Sequence, residues 1–209
     1  MHTIIMFGLH MLSYWYMVYR YDIERQNLKL DTFITAIKNS LRNQICVTLP
    51  ATFFFIQWYP IEYDNLLYSI ASLPIIIISG DIYFYLSHRP LHSKYLWYLH
   101  KSHHQGEVCV AKSLDADIIE HLFGNLGSFA AGFLFLRYFD FIVNIYIVHL
   151  WAFVATINTC ISHSAGTAPC DSGVHHLHHK LLKYNYGTGL YLIDRLTGTY
   201  KKKRKIESM

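Results

Sequence analysis

Apolar residues occur in five long runs separated by short polar segments. The runs cover residues 3–19, 44–59, 66–87, 118–137 and 139–162. A helix needs about 20 apolar residues to cross a bilayer, within a range of about 17 to 25. The last three runs meet that length, and the first two are marginal, so these two either cross at a tilt or form a shallow hairpin. The pattern predicts an all-α, multi-span membrane protein with about four or five spanning or hairpin helices in one domain, residues 1–209.

Composition supports a lipid environment for these helices. Only 15% of the residues are charged and 53% are hydrophobic, whereas soluble domains carry roughly 25% charged residues. The alternative is a soluble bundle with apolar core helices, and the almost uniformly apolar residues 73–79 argue against it. The first run has no basic segment before it and no small-residue cleavage site, so we expect a retained anchor.

The basic residues predict a topology. If the amino terminus is luminal and all five runs cross, seventeen of the 18 Lys and Arg residues face the cytosol, and Arg137 is the exception. The basic tail, residues 201–205, would then attract anionic headgroups, dock an acidic electron donor or remain solvated. With a net charge of only +4, nucleic acid is not a predicted partner. The four cysteines lack CxxC spacing, which predicts inert thiols in a reducing compartment.

Histidine is concentrated in two windows. Of 14 histidines, ten lie in residues 88–104 and 163–179. Helix positions i, i+3 and i+4 share a face, so each HxxHH triad is expected to converge on one point. Imidazole suits iron, zinc, copper or nickel, and nine such ligands are enough for two metals. The windows therefore predict a dinuclear metal site made of His88, His92, His100, His103, His104, His163, His175, His178 and His179.

Several residues near these windows have more than one possible role. Asp81, two turns before His88, either accepts a ligand's second N–H or caps a helix. His121 and His176 are possible supporting residues, although His176 could equally be exposed. The third helix is expected to stop or kink near His88, with a new helix starting at Pro90. His149 is predicted to pack between helices, and no role is assigned to His2 or His10 at the luminal end.

The order and spacing of these residues resemble the fatty acid hydroxylase and sterol desaturase superfamily, over residues 78–200. Residues 81–92 resemble its D-x-x-x-Y-x-x-H-R-x-x-H stretch, and 96–104 and 175–179 its second and third histidine boxes. Residues 163–169 resemble its H-S-G…P segment, with Ala165 inserted. The closing N-x-G and D-R-x-x-G-T patterns match residues 185–187 and 194–199. The short HxxxH spacing is most similar to sterol C-4 methyl oxidases.

The resemblance implies a non-haem di-iron oxygenase of the endoplasmic reticulum with a cytosolic cap that holds the metals. Such an enzyme hydroxylates or desaturates a sterol or other long-chain lipid with O2. Electrons come from NAD(P)H through cytochrome b5 or a similar separate protein. The alternatives are a metal transporter, an inactive homologue or a zinc-dependent hydrolase, although the chain has no HExxH motif.

Overall fold

The computed structural model describes residues 1–24 and 28–202, and this part of the chain is helical with no strand. The all-α prediction is confirmed. Arg25 and tail residues Lys203, Arg204 and Lys205, which entered the topology prediction, lie outside the described residues. The α-helices are α1 His2–Val18, α2 Leu30–Asn43, α3 Leu49–Trp58, α4 Leu66–Ala71, α5 Leu73–Leu91, α6 Trp97–His104, α7 Ile118–Glu120, α8 Gly127–Tyr138, α9 Ile145–Ser162, α10 Val174–Leu181 and α11 Leu192–Thr197.

Short π-helical segments join several of these helices. Tyr19–Ile23 extends α1, Gln44–Thr48 joins α2 to α3, and His121–Leu126 joins α7 to α8. A single 3-10 turn, Val110–Leu114, precedes α7 in the described chain. The second apolar run therefore forms the second half of a longer helical segment, which starts at Leu30 and includes α2 and α3.

Three segments of the described chain are long and apolar enough to span a membrane: Leu66–Leu91, Ile118–Tyr138 and Ile145–Ser162. Between 28% and 39% of their apolar windows is buried within the protein. The remaining apolar surface faces outward, which is stable only in contact with lipid or another apolar surface. The other two runs form the 17-residue α1 and the 10-residue α3, so the predicted total of four or five spans is not confirmed.

Close helix packing depends on small residues between α5 and α8. A Cβ atom added at Gly132 would lie 2.4 Å from the Cα of Ile76, and one added at Gly127 would meet the ring of Tyr83. These glycines let the two backbones approach closely, as small residues do between membrane helices. Helix α1 packs along α9 on the other side of the bundle.

Polar contacts define the two ends of the bundle. At one end, His2 Nε2 lies 2.8 Å from the Tyr63 hydroxyl, and the Asn144 side chain donates to the Asp64 carbonyl. At the other end, the Tyr14 hydroxyl donates to the Ala111 carbonyl, and the Asp22 carboxylate accepts the Ala111 N–H. Both histidine windows lie at this second end.

Helix α5 continues through Pro90 and ends at Leu91, three residues after His88, so Pro90 does not start the new helix that was expected there. Proline costs most in a helix interior, where its missing N–H breaks the ladder. Here only the bond to the Leu86 carbonyl is lost, in the last turn.

Helix α2 supports the histidine end of the bundle. It buries Ala36, Ser40 and Asn43 against the 3-10 turn. The Ser40 hydroxyl donates to the Ala111 carbonyl at 2.7 Å, and the Asn43 amide donates to the Leu114 carbonyl at 2.8 Å. These bonds satisfy two carbonyls of the 3-10 turn itself and hold the turn against α2.

Candidate metal centre

All nine predicted histidines converge at one end of the bundle, where they form two groups. Within each group the nearest ring nitrogens lie within 4.8 Å of one another. Both groups combine residues from the two windows, so neither window builds a site alone. The larger group is His88, His92, His100, His104 and His178, and the smaller group is His103, His163, His175 and His179.

The expectation that each triad converges on one point is wrong. His100 and His104 enter the larger group, whereas His103 enters the smaller one. In the other triad His178 is the residue that crosses over. At 3.6 residues per turn, positions i and i+4 differ by about 40°, whereas i+3 and i+4 differ by about 100°. The i+3 histidine therefore points to the second group.

The inward nitrogens lie at metal-ligand spacing. The Nε2 atom of His100 is 2.9 Å from that of His88 and 2.8 Å from that of His104. In the smaller group, His163 Nε2 is 3.2 Å from both His103 Nε2 and His175 Nε2. Two ligands at right angles on a metal about 2.1 Å away would be about 3.0 Å apart.

Five of these rings have their outer nitrogen fixed by a hydrogen bond. His88 Nδ1 and His178 Nδ1 donate to the Tyr186 and Tyr184 carbonyls, each at 2.7 Å. His103 and His163 donate to the Asp115 and Thr159 carbonyls at 3.0 Å, and His100 donates to Glu120 at 2.7 Å. With the proton on Nδ1, each Nε2 presents a lone pair inward. Lone pairs about 3 Å apart repel unless a cation lies between them, so the residues fit a metal.

Burial keeps these imidazole rings uncharged. Loss of solvation, followed by repulsion from His88, lowers the pKa of His92 to about 3. Loss of solvation also lowers the pKa of His163 to about 4. The pKa values of His100, His103 and His178 fall well below the ordinary value for the same first reason. Neutral imidazole is the metal-binding form.

Glu120 is a site residue that the sequence reasoning missed. Its Oε1 accepts the hydrogen bond from His100, and the side chain is 8% exposed. A carboxylate at the start of an apolar run was the available signal, since acids inside membrane segments are functional candidates by default. The sequence did not indicate which histidine it would contact.

The closing sequence patterns support the ligands indirectly. The Asp194 carboxylate accepts the N–H groups of Tyr186 and Gly187 at 2.9 and 2.6 Å. The Asn185 amide donates to the Val174 carbonyl at the start of α10 and to the Lys201 carbonyl. These bonds hold the loop whose carbonyls accept from His88 and His178.

Of the three possible supporting residues, Asp81 and His121 hydrogen-bond to groups other than the candidate ligands. Asp81 accepts the N–H groups of Tyr191 and Leu192 at 3.0 and 2.8 Å, which is the helix-capping alternative. His121 pairs with Thr48 and Asn125. His176 belongs to neither histidine group and borders a cavity of about 360 Å³ beside His104 and His179.

A larger cavity of about 440 Å³ runs from the histidine groups into the helix bundle. His88, His100, His103, His163 and His175 form its inner end. Mostly apolar side chains of α1, α5, α8 and α9 border the rest, including Met6, Ile77, Phe129 and Ala155, together with scattered polar residues. An apolar cavity of this size that ends at polar, ligand-forming groups is typical of a small-molecule site.

These features define a helical membrane protein with a histidine-rich candidate metal centre beside an apolar cavity. Residues 73–199, more than half of the chain, match the fatty acid hydroxylase family model, and the chain belongs to this family.

Curated relatives come from both fungi and mammals. A Delta(7)-sterol 5(6)-desaturase of Schizosaccharomyces pombe is 29% identical over 80% of this chain and 58% of its own length. Human fatty acid hydroxylase domain-containing protein 2 is 30% identical over 78% of this chain and 51% of its own length. The chain thus spans about half the length of these relatives. No solved structure matches it.

Proposed function

We propose that this chain is a di-iron lipid oxygenase, which hydroxylates or desaturates a sterol or another long-chain lipid. The observation that carries the proposal is the position of the two histidine groups at the inner end of the apolar cavity. A lipid lying in the cavity would have its C–H bonds beside the candidate ligands. The relatives named as sterol desaturases and fatty acid hydroxylases support this substrate class.

We propose iron as the functional metal because of the family resemblance, since imidazole ligands alone would also suit zinc, copper or nickel. His88, His92, His100, His104 and His178 would hold one ion, and His103, His163, His175 and His179 the other. When bound, a pair of irons activates O2 for the oxidation of an unactivated C–H bond. In hydroxylation one oxygen atom enters the lipid and the other leaves as water, which requires two electrons and two protons from a donor.

The chain's own residues perform the other tasks. Glu120 and the Tyr184 and Tyr186 carbonyls hold protons on ligand Nδ1 atoms, which keeps each Nε2 free for a metal. The apolar cavity wall binds the lipid and excludes water from the reacting carbon. NAD(P)H would supply electrons through cytochrome b5 or a similar separate protein. We also propose residence in the endoplasmic reticulum, with the histidine end facing the cytosol.

The test is metal content and O2-dependent lipid oxidation by the purified chain. We expect about two irons per chain and, with a reductase and cytochrome b5, an oxidised lipid whose new oxygen carries label from labelled O2, or a new alkene. His178→Ala should abolish turnover, whereas His149→Ala, which alters a buried histidine outside both groups, should retain most of it. A product labelled from water, or turnover that persists without O2, would show hydrolysis instead.

A further inference from the structure

His10, to which the sequence assigned no role, borders the large cavity from α1. Its Nδ1 lies 2.9 Å from the hydroxyl of Thr156 on α9. The placement differs from the expectation because α1 packs along α9, which brings the middle of α1 against the cavity.

Hydrogen bonding fixes the tautomer of His10. The Thr156 hydroxyl donates its one hydrogen to the Ala152 carbonyl at 2.8 Å. It can therefore only accept from His10, so Nδ1 carries the proton and Nε2 is an acceptor. His10 Nε2 is buried and has no hydrogen-bond partner in the described part of the chain.

The neighbouring His121 does not donate a hydrogen bond to His10 Nε2. His121, which also borders the cavity, has both ring nitrogens occupied, one by Asn125 and the other by Thr48. Trp151, a further cavity residue, has a buried indole N–H with no partner among the residues described. Buried polar groups are almost always hydrogen-bonded, so the acceptor Nε2 of His10 points to a hydrogen-bond donor on the occupant of the cavity. An ether or ester oxygen can only accept, whereas a hydroxyl can donate to His10.

Thr156, the partner of His10, lies on the same helix as the candidate ligand His163, which follows the end of α9. Thr156 lies seven residues before His163, which is two turns on the same helix face and about 10 Å along the axis. Both residues border the cavity. A hydroxyl bound at His10 therefore lies well away from the carbon held at the histidine groups.

We propose that His10 Nε2 accepts a hydrogen bond from a hydroxyl of the lipid substrate, at the level of α9 that lies two helix turns before His163. The substrate class is a lipid alcohol with a free O–H remote from the attacked carbon. Calling this lipid a substrate rests on the proposed function, whereas the binding preference for the alcohol can be measured without turnover.

The test measures binding of two matched pairs to the purified full-length chain in detergent. One pair is a Delta(7)-sterol alcohol and its methyl ether, and the other is octadecanol and its methyl ether. Each Kd is obtained from the shift of Tm with ligand concentration. The ethers retain the oxygen acceptor but lack the donor. The wild type should bind at least one alcohol about tenfold more tightly than its ether.

His10→Phe should reduce that preference to less than twofold, because the ring shape remains while the acceptor is lost. Thr156→Val should weaken it too, since the tautomer is no longer fixed. His149→Phe is the matched control: His149 is also buried with an unpartnered Nε2 among the described residues, but it does not border the cavity.

Three results would overturn the proposal: less than twofold preference in both wild-type pairs, a preference that survives His10→Phe, or its loss in His149→Phe. If His10→Phe does not fold, the wild-type pairs and Thr156→Val decide the question. If the protein binds no iron but still prefers the alcohol to its ether, the binding site at His10 is supported and the proposed di-iron oxygenase is wrong.

Discussion

At the scale of single residues, Glu120 bonds directly to a candidate ligand and orients it. A partner of this kind raises ligand basicity, and its loss typically costs 10- to 100-fold in metal affinity. We expect Glu120→Gln to weaken iron binding by about that factor, measured by competition with a chelator. Glu62→Gln, at the opposite end of the bundle, should leave affinity unchanged. Equal iron affinities in Glu120→Gln and the wild type would show that Glu120 does not support iron binding.

The histidine pKa values predict how metal-free protein responds to acid. Folded His92 and His163 have pKa values of about 3 and about 4, against an ordinary value of 6.5. Below 6.5 the unfolded chain binds protons that the folded chain does not, so stability falls as the pH falls from 6.5 towards those values. Each such histidine contributes about 1.4 kcal/mol of loss per pH unit.

We therefore expect the Tm of chelator-treated protein in detergent to fall between pH 7.5 and pH 5.5. A His92→Gln, His163→Gln double variant should show a smaller fall, because two of the titrating groups are absent. A Tm that is flat or rising towards acid would contradict the direction of these pKa shifts.

At the scale of helices, the α5–α8 contact positions the cavity and the end of α5 that carries His88. Gly132→Val places its side chain against the backbone of Ile76. Overpacking of this kind typically costs 1–3 kcal/mol, and here the obstacle is main chain that cannot change rotamer. We expect a lower Tm and a weaker lipid affinity. Gly8→Val is the control, since a Cβ there meets nothing within 4 Å.

The molecule has two polar ends, and we expect the histidine end to face the cytosol. Cys170, between the two parts of the second window, is exposed, whereas Tyr138, 82% exposed, lies at the opposite end. In sealed microsomes an impermeant maleimide should label Cys170 without detergent, in a Cys46→Ser background. Tyr138→Cys, with Cys46 and Cys170 both replaced by Ser, should react only after detergent is added. The reverse pattern would invert the topology.

The amino-acid sequence alone was enough to predict the helical class, the three long apolar segments and the gathering of nine histidines at one end of the bundle. Hydrophobic run length predicts the membrane helices, and the distribution of basic residues places both histidine windows on one side of the membrane. The i, i+3, i+4 spacing did not predict the grouping, because each HxxHH triad divides between the two groups. The family resemblance from the boxes agrees with the match over residues 73–199. Assignment of the metal ligands stays a prediction.

The division of the histidines into two groups became clear only in the packed structure. The 3.6-residue period turns His103 and His178 away from the rest of their triads, but the contacts between α6 and α10 decide that each of them meets the other window's group. The packed structure also decided that Asp81 caps α11 and that Glu120 faces His100, since both depend on which helix lies alongside. His10 gained its place in the cavity for the same reason. Spacing along a chain sets the face of one helix, but the neighbour that this face meets is set by the packing of all of them.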